Sequence, residues 1–209
     1  MTSANTNPDY YDDLALSFEQ AWNVIQNGLK DRNSPAHAPV VGTVDEFGAP
    51  QLRVMILRDA CRDTRMLRFN TDARSQKITQ MRANGKTSIQ FYDAAAKVQL
   101  RLSGKAEVTV DGDVADIAWS QSTPFARRCY MAEASPGSEI PMPSSGLPDW
   151  IQGRQPSEPQ LVDARPNFAT LLFQAEQIEW LYLANAGHRR ARWNWDAQWN
   201  LWDGRWLIP

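Results

Sequence analysis

The sequence predicts a mainly β, α+β fold: an antiparallel barrel with helices at its openings. Three observations point there: many short strand-like runs, few helical stripes, and connections short enough to be hairpins. With 209 residues and 43% hydrophobic content, the chain is long enough for one sizeable core. No low-complexity break demands a second unit, so one domain over residues 1–209 is expected.

Residues 1–12 are polar and expected to be loosely ordered. Ser17-Phe18-Glu19-Gln20 has the pattern of a capping box, and Phe18, Trp22, Ile25 and Leu29 follow at helical spacing. These predict a surface helix lying on the core, ended by Pro35 and Pro39. Val40 to Asp45 and the turn Glu46 to Pro50 feed a hairpin into Arg53. Arg53 to Arg58 encloses the apolar run Val54 to Leu57, and Met66 to Asn70 repeats that pattern, so each reads as a strand. Ser75 is placed to cap a helix from Gln76 to about Ala83, where Asn84-Gly85 stops it.

Thr87 to Tyr92 and Val98 to Val110 predict two more strands. In the second, Val98, Leu100 and Leu102 point one way and Gln99, Arg101 and Ser103 the other. A helix is expected over Val114 to Gln121 and another over Phe125 to Ala132. Seven of the thirteen prolines fall in residues 134–166, which predicts a long loop covering a site or a partner chain. Phe168 to Phe173, Gln177 to Ala184 and Arg189 to Trp195 return to strand character. The chain closes on a hairpin whose expected turn is Asp203-Gly204. Five of the nine tryptophans follow Arg192, which fits either core packing or a dimer interface.

Charge and motifs exclude several functions. A net charge of -2 argues against general nucleic-acid binding. Cys61 and Cys129 are far apart, and the N-terminus has no apolar signal segment, so a reducing cytoplasm is expected. No apolar run approaches the ~20 residues of a membrane helix. His37 and His188 are the only histidines, too few for a multi-histidine metal site. G-x-S-x-G, G-x-G-x-x-G and the P-loop pattern are absent.

The stretch from Arg53 to Lys77 holds seven cationic residues against Asp59, Asp63 and Asp72. Backbone N–H groups at the predicted helix start, the Thr71 and Ser75 hydroxyls and Lys77 can converge there on one anion, a phosphate. The plainer alternative is a strand pair with a solvated basic rim. Later, His188, Arg190, Arg192 and Asn194 share one face of a strand by period two, leaving Arg189, Ala191 and Trp193 on the other.

The sequence R-x-V-x-L-R (with Met55 in place of the Val), then F-x-T-x-x-x-S-x-K, then a Gln-containing strand reaching Gly104, resembles the FMN-binding signature of the pyridoxamine 5'-phosphate oxidase family. Here these are Arg53, Met55 and Arg58; Phe69, Thr71, Ser75 and Lys77; and Gln99 to Gly104. The likeness runs from about Val40 to the C-terminus, weakening between Ala132 and Pro166. It implies an antiparallel split β-barrel that dimerises with FMN between subunits. Arg53 and Lys77 would hold the FMN phosphate within the Arg53-Val54-Met55 and Ser75-Gln76-Lys77 segments, with Asn70-Thr71 contributing. Arg58, Gln99 and Arg192 would reach the ribityl or ring portion, where positive charge stabilises the reduced cofactor. Phe168 falls where the family places a Trp against the cofactor. Gly137 and Ser138 fall near a Gln-Ser pair that binds the phosphate of the second subunit's FMN.

On the substrate side, the family's Arg-x-His pair reads His188-Arg189-Arg190 here, and its Tyr, Arg and Ser phosphate clamp falls on Trp119, Thr123 and Arg127. The resemblance therefore implies an FMN-dependent oxidoreductase, a homodimer with His188 and Arg190 facing a small-molecule substrate other than pyridoxamine phosphate. The alternative is an FMN-binding carrier or sensor without turnover.

Overall fold

Nine strands form one antiparallel sheet in the computed structural model, which describes residues 7–209. In chain order they are β1 (Val40–Val44), β2 (Pro50–Val54), β3 (Leu57–Cys61), β4 (Met66–Asp72), β5 (Lys86–Asp93), β6 (Val98–Thr109), β7 (Phe168–Tyr182), β8 (Arg189–Asp196) and β9 (Leu201–Leu207). The helices are α1 (Leu14–Lys30), α2 (Gln76–Ala83), α3 (Asp113–Gln121) and α4 (Pro124–Arg127). Strand order is β2-β1-β5-β6-β7-β4-β3, with β8 on β7 and β9 on β8.

The fold turns on β7. One edge pairs with β6 along its length, while the other pairs with β4 over Phe168 to Gln174 and with β8 over Gln177 to Tyr182. The two neighbours separate where a bulge sets Ser103 opposite Gln177 but Gly104 opposite Ala175, leaving Glu176 extra. The bulge also changes which residues face inward: Leu171, Phe173 and Ala175 are buried before it, Ile178 and Trp180 after it. The expectation of two strands, Phe168 to Phe173 and Gln177 to Ala184, is thus corrected to one strand with a shift of parity. Both sheet halves close over Phe69, Ile89, Phe91, Leu100, Leu102 and Trp180, with Trp22 and Ile25 of α1 laid across them. Burying these large side chains contributes roughly 2 kcal/mol each.

Several elements differ from expectation for local reasons. Asp13, rather than the Ser17 box, caps α1, its Oδ1 accepting from the Leu16 N–H at 2.9 Å. Ser17 is buried and donates to the carbonyls of Tyr10 and Asp13. The strand expected over Arg53 to Arg58 is broken, because the chain leaves β1 after Val54 to join β4. Met55 and Leu57 are buried across that step, and the Met55 N–H bonds the Pro39 carbonyl at 3.0 Å. The helix expected over Phe125 to Ala132 is the single turn α4 followed by a 3-10 turn, Arg128–Met131.

The closing hairpin does not turn at Asp203-Gly204. Both lie inside β9, and the chain reverses over residues 197–200, where the Asp196 carboxylate accepts from the Gln198 and Trp199 N–H groups and Asn200 takes φ 52°. Gly204 serves packing instead, since a Cβ there would sit 2.4 Å from the Trp193 indole.

Of the N-terminal stretch expected to be loose, residues 1–6 lie outside the described range. Asp9–Tyr11 form a 3-10 turn. The Tyr11 hydroxyl donates to the Gly187 carbonyl at 2.6 Å, and Asp12 pairs with Arg189 at 2.6 Å. The Pro-rich stretch 134–166 carries 3-10 turns at Asp149–Ile151 and, running into β7, at Pro159–Asn167; Ile151, Leu161 and Ala164 are buried. It is tied down by Arg127 to Glu158 at 2.5 Å and Arg165 to Asp116 at 2.6 Å. Glu158→Gln removes the counter-charge from a buried guanidinium, and is expected to cost about 1 kcal/mol and to speed proteolysis within 134–166, read by limited digestion. Among the described residues no helix is long and apolar enough to cross a membrane.

Candidate functional site

The β2 alternation sends Leu52 and Val54 outward and Arg53 to the opposite face, toward α2. There the Arg53 guanidinium donates to Thr43 Oγ1 at 2.6 Å and to Gln80 Oε1 at 3.2 Å. Gln80 lies three residues after Lys77, on the same side of α2. Lys77 Nζ donates to Ser75 Oγ at 3.0 Å and Thr71 Oγ1 at 3.2 Å, both on buried residues at the β4-to-α2 connection. Burial, then the charge of Arg53, push the Lys77 amine below its ordinary pKa of 10.5, while Asp72 pulls it back. Burial also lowers Arg53.

The two cations therefore act on each other, and Asp72 offsets this only in part. Among the described residues neither has a carboxylate within ion-pair distance, since Asp72 is engaged by Arg74 at 2.7 Å. The Ser75 hydroxyl does not cap α2 as expected; it donates to the Asp72 carbonyl at 2.7 Å. The first turn of α2 is thus left with no side-chain cap beside Lys77. A helix start without a side-chain cap, the lysine beside it and the arginine held on Gln80 of the same helix fit a phosphate dianion.

Asn70, whose side chain lies on the face of β4 opposite that of Thr71, borders a cleft of about 470 Å³ between β3, β4, α3 and α4. Its Nδ2 donates to Ser122 Oγ at 3.2 Å and its Oδ1 accepts from Arg68 at 3.1 Å. Arg58 borders the same cleft. Burial lowers the Arg68 pKa, Asp59 opposes that, and Arg58 adds to it.

The other expected residues fall elsewhere. Gln99, Arg190 and Arg192 lie on the outer face of the sheet, where the Glu179 carboxylate is shared by Arg101 and by Arg190 at 2.6 Å. Burial pushes Glu179 up, but the hydrogen bonds and charges of Arg190 and Arg101 outweigh it and hold it below the usual carboxylate value. Asn194 accepts from Gln177 at 2.8 Å, and Arg192 Nε is buried with no partner. His188 is exposed just before β8. Val54 and Gln76 are exposed, Met55 is buried, and Gly137 and Ser138 lie on the exposed Pro-rich stretch. Phe168 has no exposed surface and packs against Trp119 and Tyr130. Within one chain, none of these residues bonds Arg53 or Lys77. Thr43, Gln80 and Arg68 were not anticipated from sequence. The only signal for Gln80 was its three-residue spacing from Lys77.

Residues 19–110 match the family model described as "Pyridoxamine 5'-phosphate oxidase, FMN-binding domain". This part of the chain is similar to the FMN-binding domain of that family. A pyridoxine/pyridoxamine 5'-phosphate oxidase of Pseudomonas putida is 29% identical over 170 residues, 78% of this chain and 75% of that protein. One of Allorhizobium ampelinum is 35% identical over 96 residues, but that match spans 46% of this chain and only 44% of the relative. Two solved structures share the split-barrel fold across nearly the whole chain. A pyridoxamine 5'-phosphate oxidase-related, FMN binding protein from Nostoc punctiforme has TM-score 0.69 and 21% identity, covering 98% of this chain and 100% of the other. PhzG from Burkholderia lata, solved with tetrahydrophenazine-1-carboxylic acid, has TM-score 0.68 and 19% identity, covering 99% and 100%. FMN is the cofactor of the split-barrel family, and the matched region contains both Arg53 and Lys77.

Proposed function

We propose that this split-barrel protein is an FMN-dependent oxidoreductase, cytoplasmic and homodimeric, acting on a small molecule other than pyridoxamine phosphate. The observation that carries the reading is that Arg53, bonded to Gln80, and Lys77, bonded to Thr71 and Ser75, meet at the same helix, α2, with no ion pair to either among the described residues. When bound, FMN supplies hydride-transfer chemistry; the chain supplies binding, orientation and charge. Arg53, Lys77, Thr71, Ser75 and the first turn of α2 at Gln76 hold the phosphate. Val54, Met55 and Asn70 form the adjoining backbone, and Arg58, Gln99 and Arg192 lie toward the ribityl and ring portion. Gly137, Ser138, His188 and Arg190 act across a twofold interface, the last two on substrate. Supporting the dimer, Leu52 and Val54 are exposed on the open face that also carries Arg101, Arg190 and Arg192. The unpaired Cys61 and Cys129 support the reducing location.

The purified protein is expected to be yellow and to release FMN on denaturation. Reduction of that FMN and its reoxidation separate the enzyme from an inert carrier. Replacing His188 and Arg190 together by Ala should lower turnover at least tenfold with FMN content unchanged, read by steady-state kinetics once a substrate is found.

A second expectation concerns pH. The lowered pKa of Lys77 means that the amine loses its proton below 10.5, so FMN affinity should begin to fall at a lower pH than for an exposed lysine. The apoprotein should show the opposite sign. Its unfolded state binds more protons than the folded state between the depressed value and 10.5, so apoprotein stability rises with pH through that window. Fluorescence titration of FMN and urea unfolding of the apoprotein, each against pH, check the two slopes.

A further inference from the structure

A crevice of about 390 Å³ lies between α2 and the turn that joins β1 to β2, and its lining begins at Gln76, in the first turn of α2. Gln76, Gln80 and Ala83 line it at helical spacing, so one flank of α2 forms a wall about 10 Å long. Gln80 belongs to two places, since its Oε1 also accepts from Thr43 at 2.6 Å and from Arg53 at 3.2 Å. The facing wall comes from β2 and the turn. Gln51 stands on the same face of β2 as Arg53, two residues nearer the turn. Asp45 fixes the turn itself: its Oδ1 accepts from the Phe47 and Ala49 N–H groups at 3.0 and 2.9 Å, and its Oδ2 from Gln51 at 2.9 Å. Gly48 supplies the left-handed residue, at φ 82°. The turn is thus made by Asp45 and Gly48, and the Phe47 side chain takes no part in it, standing 88% exposed.

We infer that this crevice takes the AMP half of FAD, so that the chain binds FAD as well as FMN. The inference rests on the flavin reading, which sets the flavin-side phosphate at Lys77, Arg53 and the first turn of α2. From there the second phosphate meets the Gln76 amide and the Thr79 hydroxyl, both on exposed residues of the lining. Charge along the crevice follows the order of groups in the ligand. The cations lie at the Arg53 end, and the turn end carries the Glu46 carboxylate, which repels phosphate but accepts hydrogen bonds from ribose hydroxyls. Phe47 is the aromatic residue of the lining, and an unpacked aromatic face stacks a base. The exchange also preserves the charge match at Lys77 and Arg53, because the terminal phosphate of FMN and the pyrophosphate of FAD each carry about two negative charges near neutral pH.

Calorimetric titration of the full-chain apoprotein with FMN and with FAD tests this. FAD is expected to bind at least as tightly as FMN. Phe47→Ala, at an exposed position outside the core, should weaken FAD about tenfold through the lost stack and leave FMN unchanged. Glu46→Gln should weaken FAD in the same direction, again sparing FMN. The inference is overturned if wild type binds FAD more weakly than FMN, if both variants bind FAD as wild type does, or if they weaken FMN and FAD alike. An apoprotein that takes FMN and refuses FAD sinks the inference alone and leaves the flavin reading standing, whereas one that takes neither sinks both.

Discussion

Lys77→Met is expected to lower FMN affinity about thirty- to a hundredfold, the loss of one charge-assisted contact to a dianion, while leaving the apoprotein at least as stable as wild type. The two halves of this result have one cause. In the apoprotein Lys77 is partly buried and feels the charge of Arg53, and both lower its pKa. Removing the amine relieves that repulsion in the apoprotein and removes the attraction in the complex. A merely structural lysine would behave in the opposite way, losing stability with little change in binding. Arg53→Gln is expected to weaken FMN by a similar factor, with some loss of order as well, because Arg53 also holds Thr43 and Gln80. The two effects will not add, since the side chains share one ligand and one repulsion. Fluorescence titration of FMN with thermal unfolding of each apoprotein reads both quantities.

Gly104→Ala is expected to destabilise the fold by about 4 kcal/mol or more, the range reached when backbone has to move. A Cβ at this position would lie 2.0 Å from the Gln174 carbonyl oxygen and 3.1 Å from the Glu176 N, both main-chain atoms at the bulge. No rotamer relieves that contact, so the bulge must open. The consequence reaches beyond stability, because this bulge divides the edge of β7 between β4, which carries Asn70 and Thr71, and β8, which carries Arg190 and Arg192. In a chain of this length, that loss lowers Tm by roughly 8–16 °C. Gly42→Ala is the matched control: its Cβ would meet the tip of the Leu52 side chain at 3.1 Å, which can swing away, and lie in ordinary contact with the Ser88 carbonyl oxygen at 3.6 Å. Its change should stay within about 1 kcal/mol. Scanning calorimetry of the two variants decides the matter.

Much of the fold was legible because one face of each strand is buried. The alternation of Val98, Leu100 and Leu102 against Gln99, Arg101 and Ser103 gave β6 directly. The clustering of Thr71, Ser75 and Lys77 was legible because the three lie within seven residues and their geometry follows from a strand running into a helix start. What escaped depended on distant partners. The polar Gln174 and Glu176 read as the end of a strand, yet they are a bulge that only the pairing with Gly104 defines. Asp203-Gly204 carries a strong local turn signal, but Trp193 occupies the space over Gly204 and Asp196 makes the turn instead. The role of Arg127 could not be read from its helix, because its partner Glu158 is thirty-one residues away in a stretch without periodicity. Nor does a local pattern show that Arg53 reaches Gln80 on α2.

The central claim is that a phosphate, rather than a flavin ring alone, is what the Arg53 and Lys77 corner recognises. Comparing the Kd of FMN with that of riboflavin on the wild-type apoprotein isolates that group, since the two ligands differ only in the phosphate. FMN should bind at least a hundredfold more tightly, and Lys77→Met should shrink the ratio by weakening FMN alone. Equal affinities for the two ligands in wild type, or a ratio untouched by the substitution, would contradict the assignment.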